Sequence, residues 1–281
     1  MEFTSPEAEQ RYAALVRESA DAIVGLDFDG TLSPIVADPA EAHIHPGAPE
    51  VLVDLSAQVR AVAVITGRPA RQALALGGLD VVGDAIGEQG RELFVYGQYG
   101  NERWSSTDRR VISPRPPHGV ASFLRDVPGV VRRAGFGEAY IEEKGLAVAV
   151  HTRRLDDPDA AYERLLPLVS DLAHHYDLMV EPGRNVIEVR APGMDKGEAV
   201  FKLATDLAAR GFMFAGDDLG DIEAFKAVVQ LRASGLATLL VCSDSAEQSA
   251  LKDLADVVVA GPVGVLELLA QFTVDAASIR A

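Results

Sequence analysis

Apolar residues in this chain follow two rhythms. In the first they run unbroken and stop at a polar cluster: AIVGLD (22–27), VAVIT (62–66), LFVY (93–96), FMFAGDD (212–218), ATLLVC (237–242) and DVVVAG (256–261). Between these runs lie stretches at helical spacing, such as PEVLVDLSAQ (49–58). A strand that is apolar on both sides is buried on both faces, and strands alternating with helices build a parallel sheet between helical layers. The pattern predicts an α/β fold, a doubly wound parallel sheet.

The middle of the chain has the second rhythm. SPRPPHG (113–119) is proline-rich and reads as a hinge. Beyond it, AYIEEKGLAVAVHTR (139–153) alternates around Gly145, which predicts an antiparallel hairpin. A helical stretch follows at 159–176, and LMVEPGRNVIEVR (178–190) predicts a second hairpin turning at Pro182, Gly183 and Arg184. Two hairpins and about two helices make a smaller α/β cap domain, roughly 80 residues inserted between the halves of the sheet. The expected boundaries are a core at 1–110, a cap at 111–191 and the rest of the core at 192–281.

Composition narrows the partners. The 281 residues are 48% hydrophobic, enough for a core of this size, and carry a net charge of −16. An acidic surface attracts neither nucleic acid nor anionic membrane, so no partner of either kind is expected. A small anionic substrate stays open, because a metal ion reverses the field locally. The single cysteine, Cys242, sits in an apolar run and reads as a buried inert thiol. The first twenty residues lack an apolar stretch, and LADVVVAGPVGVLELLA is interrupted by Asp256, Gly261, Pro262 and Glu267. A cytoplasmic protein, monomeric or weakly dimeric, is the expectation.

Three of the apolar runs end in chemistry-bearing clusters: DFDGT from Asp27, TGR from Thr66 and GDDLGD from Gly216. Reactive sites of open parallel sheets lie beyond the carboxyl ends of the strands, so the three should converge. Asp27 and Asp217, with Asp218 or Asp221, would crowd one place with like charge, which a hard divalent cation relieves. Oxygen-only ligands suit magnesium, and no His or Cys cluster offers a zinc site. Beside such an ion Asp27 can act as a carboxylate nucleophile toward phosphorus. Asp29 can protonate the leaving oxygen and later take a proton from water. Gly30 permits the tight turn and close approach of phosphate, Thr66 offers a hydroxyl, and Lys196 supplies fixed positive charge.

These stretches resemble the haloacid dehalogenase superfamily of aspartate-nucleophile phosphatases, whose motifs match Asp27-Phe28-Asp29-Gly30-Thr31, Thr66, Lys196 and Asp217-Asp218 in order and spacing. LDFDGTLSPIV, ITGR, EEKGLAVAVHTR, EPGRNVIEVRAPGMDKG and GDDLGDIEAF resemble trehalose-6-phosphate phosphatases more closely, over roughly residues 20–265. The resemblance implies that Asp27, Asp29, Thr66 and Lys196 are catalytic. It implies a magnesium ion on Asp27, Asp29, Asp217 and Asp218, and substrate contacts from Gly30, Arg68, Glu142, Lys144, Arg184 and Glu188. It also implies a cap closing over a disaccharide, and a sugar phosphate as partner. Tyr99 stands where the family often has histidine, while Gly220 and Ile222 replace a threonine and an acidic residue of the last motif.

The function expected is hydrolysis of trehalose 6-phosphate through an aspartyl-phosphate. One alternative is the same chemistry on sucrose 6-phosphate or a glycosyl-glycerate phosphate. Another is a phospho-accepting regulatory or sugar-binding protein without turnover.

Overall fold

The structure, a computed structural model, describes residues 2–36, 38–115, 118–183, 185–193, 195–244 and 251–280. The chain divides into two compact units: Met1–Ser113 with Asp195–Ala281, and Pro114–Met194.

The first unit begins with β1 (Glu2–Phe3), α1 (Pro6–Arg17), β2 (Ala22–Leu26), α2 (Ala48–Ser56), β3 (Ala61–Ile65), α3 (Ala70–Gly77), α4 (Leu79–Glu88), β4 (Leu93–Gly97) and β5 (Glu102–Ser105). The second unit holds α5 (His118–Arg133), β6 (Tyr140–Glu143), β7 (Ala147–His151), α6 (Pro158–His175), β8 (Met179–Gly183) and β9 (Val186–Arg190). The first unit resumes with α7 (Lys196–Asp206), β10 (Gly211–Gly216), α8 (Ile222–Ala233), β11 (Ala237–Ser243), β12 (Val257–Val259) and α9 (Gly261–Arg280).

One eight-stranded sheet runs through the first unit in the order β1-β12-β11-β10-β2-β3-β4-β5. Neighbours from β12 to β4 are parallel, and β1 and β5 close the edges antiparallel. Successive residues of each inner strand enter different cores. Val24, Leu26, Val62, Val64, Met213 and Ala215 pack with side chains of α1, α2, α3, α4 and α9. Ile23, Ala63, Ile65, Phe212 and Phe214 pack on the other side with α7 and α8. Period-2 alternation with both faces covered is why these strands read as unbroken apolar runs. Phe214 is fully buried, so truncating it to Ala should destabilise the unit by about 3–5 kcal/mol.

Helix starts follow local chemistry. Ser5 caps α1 by accepting from the Ala8 amide, Pro6 sits in the first turn with Glu7 and Glu9, and Arg17 lies in the last. At the other end of the chain the apolar run does not break at Gly261 and Pro262; those residues open α9. By length and composition α9, with a mean hydropathy of 1.3 over its best window, could cross a membrane. Its buried residues Val265, Leu268, Leu269, Phe272 and Ala276 pack into the first core.

The second unit is a four-stranded antiparallel sheet, β6-β7-β9-β8. Gly145, at φ +81°, turns β6 into β7, as the alternation predicts. One face packs Val148, Val150, Ile187 and Val189 against Phe123 and Val127 of α5 and Leu165 and Val169 of α6. The opposite face is charged.

Candidate active site

In the first unit β2 lies between β10 and β3, where the order of connections reverses. Asp27 directly follows β2, Thr66 follows β3 and Asp217 follows β10, so three loops leave the sheet at one edge. The Asp27 amide continues the ladder by donating to the Ala215 carbonyl, which fixes the carboxylate at the strand's end.

Lys196 opens α7, an end of a helix where positive charge is unfavourable. Two carboxylates compensate for it. Its Nζ donates to Asp27 Oδ1 at 2.6 Å and to Asp221 Oδ1 at 2.7 Å, and all three residues are buried. Burial alone would lower the Lys196 pKa, but Asp221 and Asp27 raise it well above the usual lysine value. Asp221 spends its other oxygen on the amides of Asp217 and Asp218, closing the turn before α8. The Thr66 hydroxyl is buried and accepts from the Arg68 amide, which leaves its own proton to donate.

Oxygens of Asp27, Asp217 and Asp221 lie within 4.8 Å of one another. Burial pushes the Asp217 carboxyl up to about 10, and Asp27, Asp218 and Asp221 add to the shift. Asp27 is also raised by burial, against the opposing pull of Lys196. One ammonium among three buried carboxylates leaves negative charge uncompensated, and the donors are all oxygen. The set therefore fits a hard divalent cation such as magnesium. Gly30 keeps the place open: at φ +69°, a Cβ there would lie 2.0 Å from Asp217 Oδ2.

The other residues of the expected metal set are placed differently. Asp218 is exposed, and its Oδ1 accepts from the Gly220 amide. Asp29 pairs with Arg68: Oδ2 accepts from Nε at 2.7 Å and Oδ1 from Nη2 at 2.6 Å. Asp221, which the sequence left as an alternative to Asp218, sits in the carboxylate cluster.

Tyr99 has a role that the sequence did not disclose. Gln98 and Tyr99 both adopt left-handed backbone, φ 49° and 57°. Their amides donate to the carbonyls of Arg68 and Thr66, and the Tyr99 ring lies against Gly67. A strained turn thus clamps the TGR loop in place.

In the second unit, strand register places Glu142, Ala149, Glu188 and Glu181 in one row across the charged face of the sheet. Each glutamate has a partner: the His151 ring Nε2 for Glu142 at 2.9 Å, and the cations Lys144 for Glu188 at 2.5 Å and Arg190 for Glu181 at 2.7 Å. Glu188 is buried, and its Oε1 has no hydrogen-bond partner among the described residues. The structure brings Glu142, Lys144 and Glu188 together on this face; Arg184 lies outside the described residues. Glu181 and Arg190 were not anticipated, although their positions in the two strands of one hairpin were the available signal.

Residues 25–258 match the family model for trehalose-phosphatase. An uncharacterized glycosyl hydrolase of Mycobacterium tuberculosis is 34% identical over 238 residues, 80% of this chain and 17% of its own. A trehalose-phosphate phosphatase of Mycobacterium bovis is 31% identical over 214 residues, 73% of this chain and 51% of its own. The chain thus spans about half or less of the length of these two relatives. Among solved structures, the C-terminal domain of Candida albicans trehalose-6-phosphate phosphatase aligns with a TM-score of 0.77 at 21% identity. That alignment covers 97% of this chain and 98% of the other, a likeness of fold.

Proposed function

The chain belongs to the trehalose-phosphatase family, and we propose that it is a cytoplasmic, magnesium-dependent phosphatase that hydrolyses trehalose 6-phosphate to trehalose and phosphate. The observation that carries this reading is the buried arrangement of Asp27 on Lys196, with Asp221 and Asp217 beside it. A lone strand-end aspartate would be solvated or would cap a helix. This one is held by a buried ammonium at the carboxyl edge of a parallel sheet.

Asp27, Asp217 and Asp221 would hold the magnesium ion, which supplies positive charge against the carboxylates and the substrate phosphate. Asp27 attacks phosphorus: a bond forms from its carboxylate oxygen, and the bond from phosphorus to the sugar oxygen breaks. Asp29 gives that oxygen its proton. A water molecule then attacks the aspartyl-phosphate, loses a proton to Asp29 and releases phosphate. Lys196 orients Asp27 and offsets charge on the transferring group, and the Thr66 hydroxyl donates to a phosphate oxygen. Uncatalysed hydrolysis of phosphate monoesters is among the slowest of biological reactions, with enzymatic enhancements of up to about 10²¹. Nucleophile, acid–base pair and fixed cation acting together suit a barrier of that size.

Sugar recognition is assigned to the second unit's charged face, through Glu142, Lys144 and Glu188, with Arg184 added only as the resemblance implies. The Glu188 Oε1 without a donor among the described residues supports it, because a turn of the side chain would offer that unsatisfied acceptor to a sugar hydroxyl. Phosphate release from trehalose 6-phosphate with magnesium, and its loss with chelator, tests the proposal. A kcat/KM panel containing sucrose 6-phosphate and a glycosyl-glycerate phosphate separates substrates. Stoichiometric phosphorylation without release would instead identify a phospho-accepting regulator.

A further inference from the structure

Three of the five N–H groups of the Arg68 guanidinium are committed. Nε and Nη2 form a fork on the two oxygens of Asp29, and Nη1 donates to the Pro39 carbonyl at 2.8 Å. The flat of the group lies 5.3 Å from the Phe28 ring centroid, and the residue is 8% exposed. Its backbone is tied as well. The amide donates to the Thr66 hydroxyl, and the carbonyl accepts from Gln98, the first residue of the strained turn. A guanidinium placed this way is buried and has its Nε edge already taken by a carboxylate. What it does hold, by two parallel directional bonds, is Asp29.

From this geometry we infer that Arg68 is a positioning residue: it sets the place and orientation of the Asp29 carboxyl relative to the leaving oxygen, rather than binding the transferring phosphate. The inference rests on the phosphatase reading above and refines it. In the first step the bond between phosphorus and the leaving oxygen breaks as the bond from Asp27 forms. The electron pair stays on the leaving oxygen, and the proton that neutralises it comes from Asp29, which enters the step as the neutral acid while still accepting from Arg68. A carboxyl swinging freely at the surface would meet that oxygen rarely. Asp29 needs such a hold, because its side chain is 42% exposed whereas that of Arg68 is 9% exposed. The fork anchors an exposed acid to the buried Phe28 ring and the Thr66 loop, with the Pro39 carbonyl holding the far side of the guanidinium.

A group that places a proton donor matters in proportion to how much the leaving group needs the proton. The test is therefore kcat/KM with magnesium for a series of aryl phosphates running from p-nitrophenyl to phenyl phosphate, which carry no sugar. In Arg68→Met the phenyl ester should lose at least about 10²-fold and the p-nitrophenyl ester less than about tenfold, so the dependence on leaving-group pKa steepens. Asp29→Asn should steepen it in the same way. The double variant should fall no more than about threefold below Asp29→Asn, because the two residues act as a unit. Arg68→Lys keeps the charge but loses the fork. It should show the same steepening, and it carries the test if the methionine variant fails to fold. A uniform fall across the series, or losses that multiply in the double variant, would overturn the inference by pointing to phosphate binding or general damage. A wild-type protein that cleaves none of the esters would overturn the phosphatase reading and this inference together.

Discussion

Lys196 donates to Asp27 across 169 positions of sequence, and the pair is buried at both ends, 3% and 4% exposed. A buried ion pair gives little net stability over an apolar pair, but breaking one by removing a single partner is expensive. Here the lysine serves two carboxylates, Asp27 and Asp221. Lys196→Met should destabilise the first unit by about 3–5 kcal/mol in urea unfolding without magnesium, and lower turnover by at least about 10²-fold. A loss of stability below about 1 kcal/mol would mean that Asp27 and Asp221 find other partners, and the electrostatic account of the site would fail.

Asp27→Asn makes the opposite exchange. It removes one carboxylate from a crowded group while keeping an oxygen for the Lys196 ammonium, so the fold should survive with a melting temperature at or above that of the parent. Turnover should vanish, because an amide does not attack phosphorus. Intact-protein mass after acid quench should show a phosphorylated species in the parent mixed with substrate and none in the variant. Comparable phosphate release by the two proteins would remove Asp27 from the mechanism.

The sequence disclosed the inner strands and concealed the edges. β2, β3, β10 and β11 are legible because burial on both faces leaves no polar position to interrupt them. β1 is two residues long and β5 reads ERWS; neither has an apolar run to announce it. The aspartates were legible as charges that end apolar runs, but not their division of labour. Asp218 and Asp221 look alike in GDDLGD, and the short helical turn over Leu219–Asp221 separates them. It buries Asp221 fully beside Lys196 and leaves Asp218 as an exposed cap. The pairing of Asp29 with Arg68 joins two loops 39 residues apart, a contact that no local pattern encodes.

Asp217 makes stability and metal affinity depend on pH. Its folded-state pKa is pushed up to about 10, primarily by burial, against 3.8 for the free group. The folded, metal-free protein therefore holds a proton that the unfolded chain releases. That contribution to stability is fully present below about pH 4 and is lost as pH rises toward 10. Metal-free protein should accordingly melt at lower temperature at pH 9 than at pH 6, with magnesium restoring more of the loss at the higher pH. Magnesium must displace the proton, so its affinity should rise with pH, and calorimetry in buffers of different ionisation enthalpy should show proton release. Asp217→Asn should flatten the pH dependence of the metal-free melting temperature and abolish the magnesium shift. Magnesium affinity independent of pH between 6 and 9 would contradict the argument.

The charged face of the second unit should act on the sugar and leave the chemistry alone. Glu188 is held by Lys144 on one oxygen, while its other oxygen is buried without a partner among the described residues. A sugar hydroxyl donating to that oxygen, once the side chain turns to present it, satisfies an acceptor that has no donor among the described residues of the free protein, and such a bond to a charged group is worth about 1.5–3 kcal/mol. Glu188→Gln keeps the shape, removes the charge and loosens Lys144. It should lower kcat/KM for trehalose 6-phosphate by about 10–100-fold. The p-nitrophenyl ester, which has no hydroxyls to offer, should be cleaved at close to the parent rate. Added trehalose should inhibit the parent's cleavage of that ester and inhibit the variant at least about tenfold more weakly. If both esters slow together in Glu188→Gln, the residue supports the fold or the phosphate rather than the sugar, and the division of labour between the two units is wrong.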